Sequence, residues 1–238
     1  RKSYVASVFD VAHDHGATTT MAVTKTKFSL LTQSYGEESG APDAVGKDDG
    51  RQKIDRWYYS TRMADLGAFV ADDLRRQPAP AFSFVHFGAP DFAGHAEGWN
   101  LGQGSPYLAA VAEVDAALGT ILDAIDGSPT LRGTTAIVLT ADHGGGAPYM
   151  SHTDRLAPVN YRVPFLVWLG GGGAMDLRSL NPHRAWPDPA TQMEAAATPQ
   201  PIRNGDAGNL CLRLLGLPPI EGSKYGRTDP VEFAPSPR

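Results

Sequence analysis

Apolar positions recur along this chain at helical and at strand spacing by turns, and the alternation gives an order of elements. Over residues 4–13, Val5, Val8, Phe9 and Ala12 share one side of a helix, and Gly16 stops it before the β-branched run at 18–23. Residues 36–55 are rich in Gly, Asp, Glu and Lys without an apolar period, which reads as an exposed loop. Residues 57–76 then carry Met63, Leu66, Phe69, Val70 and Leu74 at helical spacing, ended by Pro78-Ala79-Pro80. The almost wholly apolar run at 81–87 follows as a strand with both faces covered.

Ser105-Pro106 reads as an N-cap with proline in the first helical position. Leu108, Val111, Leu118, Ile121, Leu122 and Ile125 form the stripe of the helix behind it, and Gly127 closes it. Residues 134–140 and 163–169 are two further buried strands, and the proline-rich stretch 181–201 reads as a surface excursion. A last amphipathic helix covers 206–215, closed by Gly216 and two prolines. Helix and strand in alternation predict a single α/β domain over 1–238, with a mainly parallel sheet sandwiched by helices.

Composition agrees with one domain: 238 residues, 42% of them hydrophobic, suffice for one sizeable core. A net charge of -5 and the absence of a Lys/Arg run exclude a nucleic-acid polymer or an anionic membrane surface as the main partner, and favour a small polar substrate. No stretch is long and apolar enough to span a membrane, and Arg1-Lys2-Ser3-Tyr4 does not lead into a signal-peptide core. The single cysteine, Cys211, lies in the apolar run Leu210-Cys211-Leu212 and reads as a buried structural thiol.

Three polar groups follow expected strands, where open α/β sheets place their ligands. In Asp91-Phe92-Ala93-Gly94-His95, a helix would put Asp91 and His95 one turn apart on one face, where a carboxylate and an imidazole can share a divalent ion. In Ala141-Asp142-His143-Gly144-Gly145-Gly146, the glycines allow close approach while Asp142 and His143 offer oxygen and nitrogen donors. His152 follows in Ser151-His152-Thr153-Asp154.

Together these motifs resemble the alkaline phosphatase superfamily, most closely its type I phosphodiesterase/nucleotide pyrophosphatase branch. The surroundings agree: His86-Phe87 before Asp91, Gly98-Trp99 after His95, Tyr161-Arg162-Val163-Pro164-Phe165 after His152, and Ile202-Arg203-Asn204-Gly205-Asp206 before the last helix. The resemblance covers residues 8–219. It implies an alkaline phosphatase-like fold and a two-metal phosphoester hydrolase acting on a small phosphoester. Asp91, His95 and His152 would hold one ion, and Asp142 and His143 would contribute to the other, with His183 the competing third ligand of the first. Zinc is the implied metal, and the ligand types are also compatible with manganese. Sulfatases and phosphomutases are the neighbouring readings. Export from the cytoplasm, common among such hydrolases, is the expected location.

The family pattern also has an aspartate at the end of an early strand and a Thr or Ser nucleophile opening the next helix. Both fall upstream of the helix at residues 5–13, so the nucleophile is expected outside these residues and the fold to be N-terminally incomplete. One ion should then bind better than two, and a catalytically incompetent metal-binding fragment or pseudoenzyme is the alternative to an active enzyme. Ser29 and Thr32 are the nearest imitation of the nucleophile but follow that helix rather than precede it. Asp10, His13, Asp14 and His15 read as a solvated helix end, and Lys25 and Lys27 as exposed charges. His86 either lines the pocket or is a satisfied structural histidine.

Overall fold

The computed structural model describes residues 6–33, 43–46, 52–146, 150–154, 156–170, 175–187 and 197–234. Tyr4 and Val5 of the first expected helix, much of the loop at 36–55 and residues 188–196 of the proline-rich stretch lie outside them.

The elements run α1 (Val8–Asp14), β1 (Thr19–Val23), a 3-10 turn (Thr26–Ser29), α2 (Leu30–Gln33), β2 (Arg56–Tyr59), α3 (Met63–Leu74) and β3 (Phe82–His86). Then come α4 (Ala89–Glu97), α5 (Pro106–Asp126), α6 (Pro129–Thr134), β4 (Ile137–Thr140), a 3-10 turn (Pro158–Asn160), β5 (Phe165–Trp168), α7 (Leu177–Leu180) and α8 (Asp206–Leu214). The fold is α/β: β1 lies between β2 and β3, both parallel to it, and helices cover the sheet. β4 and β5 pair with each other, antiparallel, in a second sheet of two strands.

All five residues of β1 are buried, and the strand's alternation sends them to two cores. Ala22 joins Leu66, Val70 and Leu74 of α3 and Ile121 and Ile125 of α5, with Ile137 and Trp168 of the second sheet packed against them. Met21 and Val23 face the other way, against Phe9 of α1, with Phe28, Phe82 and Phe84 around them. The α5 boundaries are those its sequence dictates: the Ser105 hydroxyl accepts from the Leu108 amide at 3.2 Å, and Gly127 caps the end. Among the described residues no helix is long and apolar enough to cross a membrane.

Four sequence expectations change. Residues 56–59 form edge strand β2 rather than the start of a helix, and α3 begins at Met63. The 129–134 segment, capped by Ser128, is helical, so β4 starts only at Ile137. The proline-rich stretch is anchored rather than excluded: Asn181 is fully buried and bonds Leu177 and Glu232 carbonyls at 2.8 Å each, while buried Arg184 pairs with Asp206 and Asp229.

The carboxylates of α1 are not solvated either, while His15 beyond its end is exposed. Asp10 and Asp14 are buried, and the buried ammonium of Lys53 bonds Asp14 and, at 2.8 Å, Asp43. His13 stands 3.7 Å from both Asp43 and Asp55. One buried ammonium thus holds two carboxylates from distant parts of the chain where a helix end meets the loop before β2.

Candidate metal centre

Register places the site. Val23 of β1 is the cross-strand partner of His86 in β3, so the segments leaving those two strands emerge side by side at the carboxyl edge of the sheet. From β3 the chain turns through Phe87 and Gly88 into α4, with Pro90 in its first turn and Gly98, at φ 78°, ending it. Asp91 thus falls in the first turn of α4 and His95 in the last, on the same face. The segment after β4 brings Asp142 and His143, and the chain beyond it brings His152.

All five converge. Asp91 Oδ1 lies 3.3 Å from His95 Nε2, 3.6 Å from His143 Nε2 and 3.8 Å from His152 Nε2. His143 Nε2 is 3.7 Å from Asp142 Oδ2, and its ring stacks on that of His152 at 3.5 Å between centroids. Asp91, His95 and His152 can each direct one ligand atom to a common point, all within 4.8 Å of one another. Asp142 is the most open member, its side chain 67% exposed against 18% for Asp91. His183 lies outside the group and bonds Asp229 at 2.9 Å.

Hydrogen bonds to backbone carbonyls orient two of the rings. His95 Nδ1 lies 3.0 Å from the Met150 carbonyl and His143 Nδ1 lies 2.9 Å from the Gly144 carbonyl. A carbonyl only accepts, so each Nδ1 carries a proton and each ring turns its Nε2 towards Asp91. Burial, and then the neighbouring His143, hold the His152 pKa below its usual value, favouring its neutral form. Asp91 Oδ1 is buried and has no hydrogen-bond partner among the described residues. A buried carboxylate oxygen ringed by the Nε2 atoms of three imidazoles is the donor set that a divalent cation takes. The residues present fit such an ion.

The other carboxylate oxygen, Oδ2, accepts from Lys25 Nζ at 2.8 Å. Burial raises the Asp91 pKa, but the hydrogen bond and charge of Lys25, with His95 and His143, outweigh it and leave the group below its ordinary value. Lys25 is therefore part of the site and not an exposed charge. Its place directly beyond the end of a buried parallel strand was the signal for it. His86 Nδ1 is 2.8 Å from the Thr24 hydroxyl, and the His86 ring packs on Phe28, which is a satisfied structural role. Thr32 donates to the Ser29 carbonyl at 2.7 Å.

Two residues that the sequence reading quoted only as surroundings of the motifs support the site directly. Asn204 Nδ2 donates to the carbonyls of Ala141, at 3.1 Å, and Asp142, at 2.7 Å, fixing the backbone that presents Asp142. Trp99, only 5% exposed, packs its ring edge-on at 5.3 Å from that of His95 and 6.2 Å from that of His152.

In an alignment 83 positions long that covers 32% of this chain, the sequence is 34% identical to the 2,3-bisphosphoglycerate-independent phosphoglycerate mutase of Syntrophotalea carbinolica, a member of the same superfamily. The alignment spans 14% of the mutase. Residues 6–170 of the 238, which include α1 through β5 and all five candidate ligands, match the sequence profile of the family described as Type I phosphodiesterase / nucleotide pyrophosphatase. The chain belongs to the type I phosphodiesterase/nucleotide pyrophosphatase family of the alkaline phosphatase superfamily.

Proposed function

We propose that this chain carries the metal-binding part of a phosphoester hydrolase that cleaves a small phosphodiester or nucleotide pyrophosphate bond. The observation that supports it best is the orphaned Oδ1 of Asp91, ringed by the Nε2 atoms of His95, His143 and His152. Asp91, His95 and His152 would hold one divalent ion, and Asp142 and His143 would contribute to a second. Zinc is the favoured metal, since imidazole and carboxylate ligands suit it; manganese is the alternative.

When bound, such a pair of ions clamps the phosphoryl group and stabilises the charge that develops on the attacking and leaving oxygens. The chain's own groups do the rest. The Met150 and Gly144 carbonyls lock the tautomers of His95 and His143, and Lys25 fixes the orientation of the Asp91 carboxylate. Asn204 holds the backbone at Asp142, and that side chain's exposure leaves an approach for a polar substrate from solvent. A second reading, phosphoryl transfer to another hydroxyl rather than to water, is supported by the similarity to the phosphoglycerate mutase.

The test offers the protein bis(4-nitrophenyl) phosphate, 4-nitrophenyl phosphate and 4-nitrophenyl sulfate, with zinc, with manganese and with a chelator. Fastest turnover of the diester, lost on chelation and reduced at least about 100-fold by Asp91→Ala, is expected of a metal-dependent phosphodiesterase. Preference for the sulfate, or turnover indifferent to chelator, would contradict the reading.

A further inference from the structure

Gly94 stands between Asp91 and His95 in α4, and Gly145 follows Asp142 and His143 in the next ligand segment. Both glycines abut one side chain. A Cβ built at Gly94 would lie 2.3 Å from Cε2 of Trp99, and a Cβ built at Gly145 would lie 2.3 Å from that same atom. Carbon atoms in contact sit about 3.5–4.0 Å apart, so no side chain fits at either position while the indole is in place. Trp99 is buried, and its ring also meets the edges of His95 and His152. One indole therefore touches the helix that carries Asp91 and His95, the loop that carries Asp142 and His143, and the ring of His152.

We propose that Trp99 is a positioning residue, whose indole, seated on Gly94 and Gly145, sets the spacing between the two ligand-bearing segments and the tilt of the His95 and His152 rings. The glycines of the Asp-x-x-Gly-His and Asp-His-Gly-Gly motifs are then there to admit the ring. Neither has a positive φ to demand glycine, whereas Gly98, which ends α4, does. An aromatic ring suits the task because it is rigid and large, and close packing transmits a displacement of a few tenths of an ångström directly to what it touches. The inference rests on the metal reading of the site.

Calorimetric zinc titrations and thermal midpoints test it for the unmodified protein, Trp99→Leu, Gly94→Ala, Gly145→Ala and the two Gly→Ala/Trp99→Leu double variants. Each single change is expected to weaken zinc binding about 10–100-fold, as loss of a supporting partner does. Each double variant is expected to bind no more weakly than Trp99→Leu, because the added methyl no longer meets a ring. Where Trp99→Leu fails to fold, Trp99→Phe carries the same comparison with smaller effects. A folded Trp99 variant with unchanged zinc affinity, or glycine costs that add fully to the tryptophan cost, would overturn the role of Trp99 while leaving the metal site standing. An unmodified protein that binds no zinc overturns the metal reading and the positioning role with it.

Discussion

Lys25 Nζ, two residues beyond the end of β1, lies 2.8 Å from Asp91 Oδ2 in the first turn of α4, so the carboxylate is gripped by one oxygen and presents the other to three imidazoles. The ammonium at once neutralises a half-buried charge and fixes which oxygen is available. Lys25→Met should therefore loosen the carboxylate and weaken zinc binding by about tenfold or more, with Lys25→Arg intermediate. Calorimetric titration decides it. Tighter binding in Lys25→Met would mean that repulsion between the ammonium and the ion outweighs orientation.

Asn204 lies beyond the stretch that matches the family profile, yet its amide holds the carbonyls of Ala141 and Asp142. Asn204→Ala removes both bonds, and the one its Oδ1 accepts from the Gly205 amide at 2.8 Å, and should cost about 1–3 kcal/mol in urea unfolding, the ordinary worth of three partly exposed hydrogen bonds. The same change should weaken metal binding through the Asp142 backbone. No change in either quantity would show that the loop holds its shape without Asn204.

The ammonium of Lys53 is wholly buried between Asp14 and Asp43. Lys53→Met should destabilise the fold by about 3–5 kcal/mol, since it strands buried carboxylates without their cation. Burial alone would lower the Lys53 pKa, but its bonds to Asp14 and Asp43 outweigh that and raise it above 10.5. The stability this supplies is whole below 10.5 and is lost as pH rises through the higher folded value. Urea melts should thus show the advantage of the unmodified protein over Lys53→Met shrinking above that pH. A constant advantage would place the effect in packing.

Burial pushes the Cys211 thiol up to about 11 from an ordinary 9.0. Two units cut the thiolate fraction at neutral pH by about 100-fold, so labelling by a disulfide reagent should be slower than for a free thiol by at least that factor. Labelling as fast as a free thiol would show that the α8 surface opens readily.

What the sequence made legible was local. The Ser105 cap, the Pro106 start and the Gly127 end of α5 were readable because each acts within a turn or two of itself, and β1 and β3 were readable because buried parallel strands are continuously apolar. β2 was not. Its four residues expose Trp57 and Tyr59 on one face at the sheet edge, and their aromatic rings run on into the periodicity of α3. The antiparallel pairing of β4 with β5 depends on tertiary contact that a period of two does not encode. Likewise the charges at the end of α1 looked solvated because their compensating ammonium, Lys53, stands 39 residues away from Asp14. At the site, Asp91 and His95 could be paired from helical spacing alone. Lys25, Asn204 and the seat of Trp99 could not, since each joins segments far apart in sequence.

Elemental analysis of purified protein, beside Asp91→Ala and Asp142→Ala, tests the central claim most directly. At least one equivalent of a divalent metal per chain, lost with Asp91→Ala while the variant stays folded, is the predicted result. No bound metal, or metal retained in full by Asp91→Ala, would contradict it.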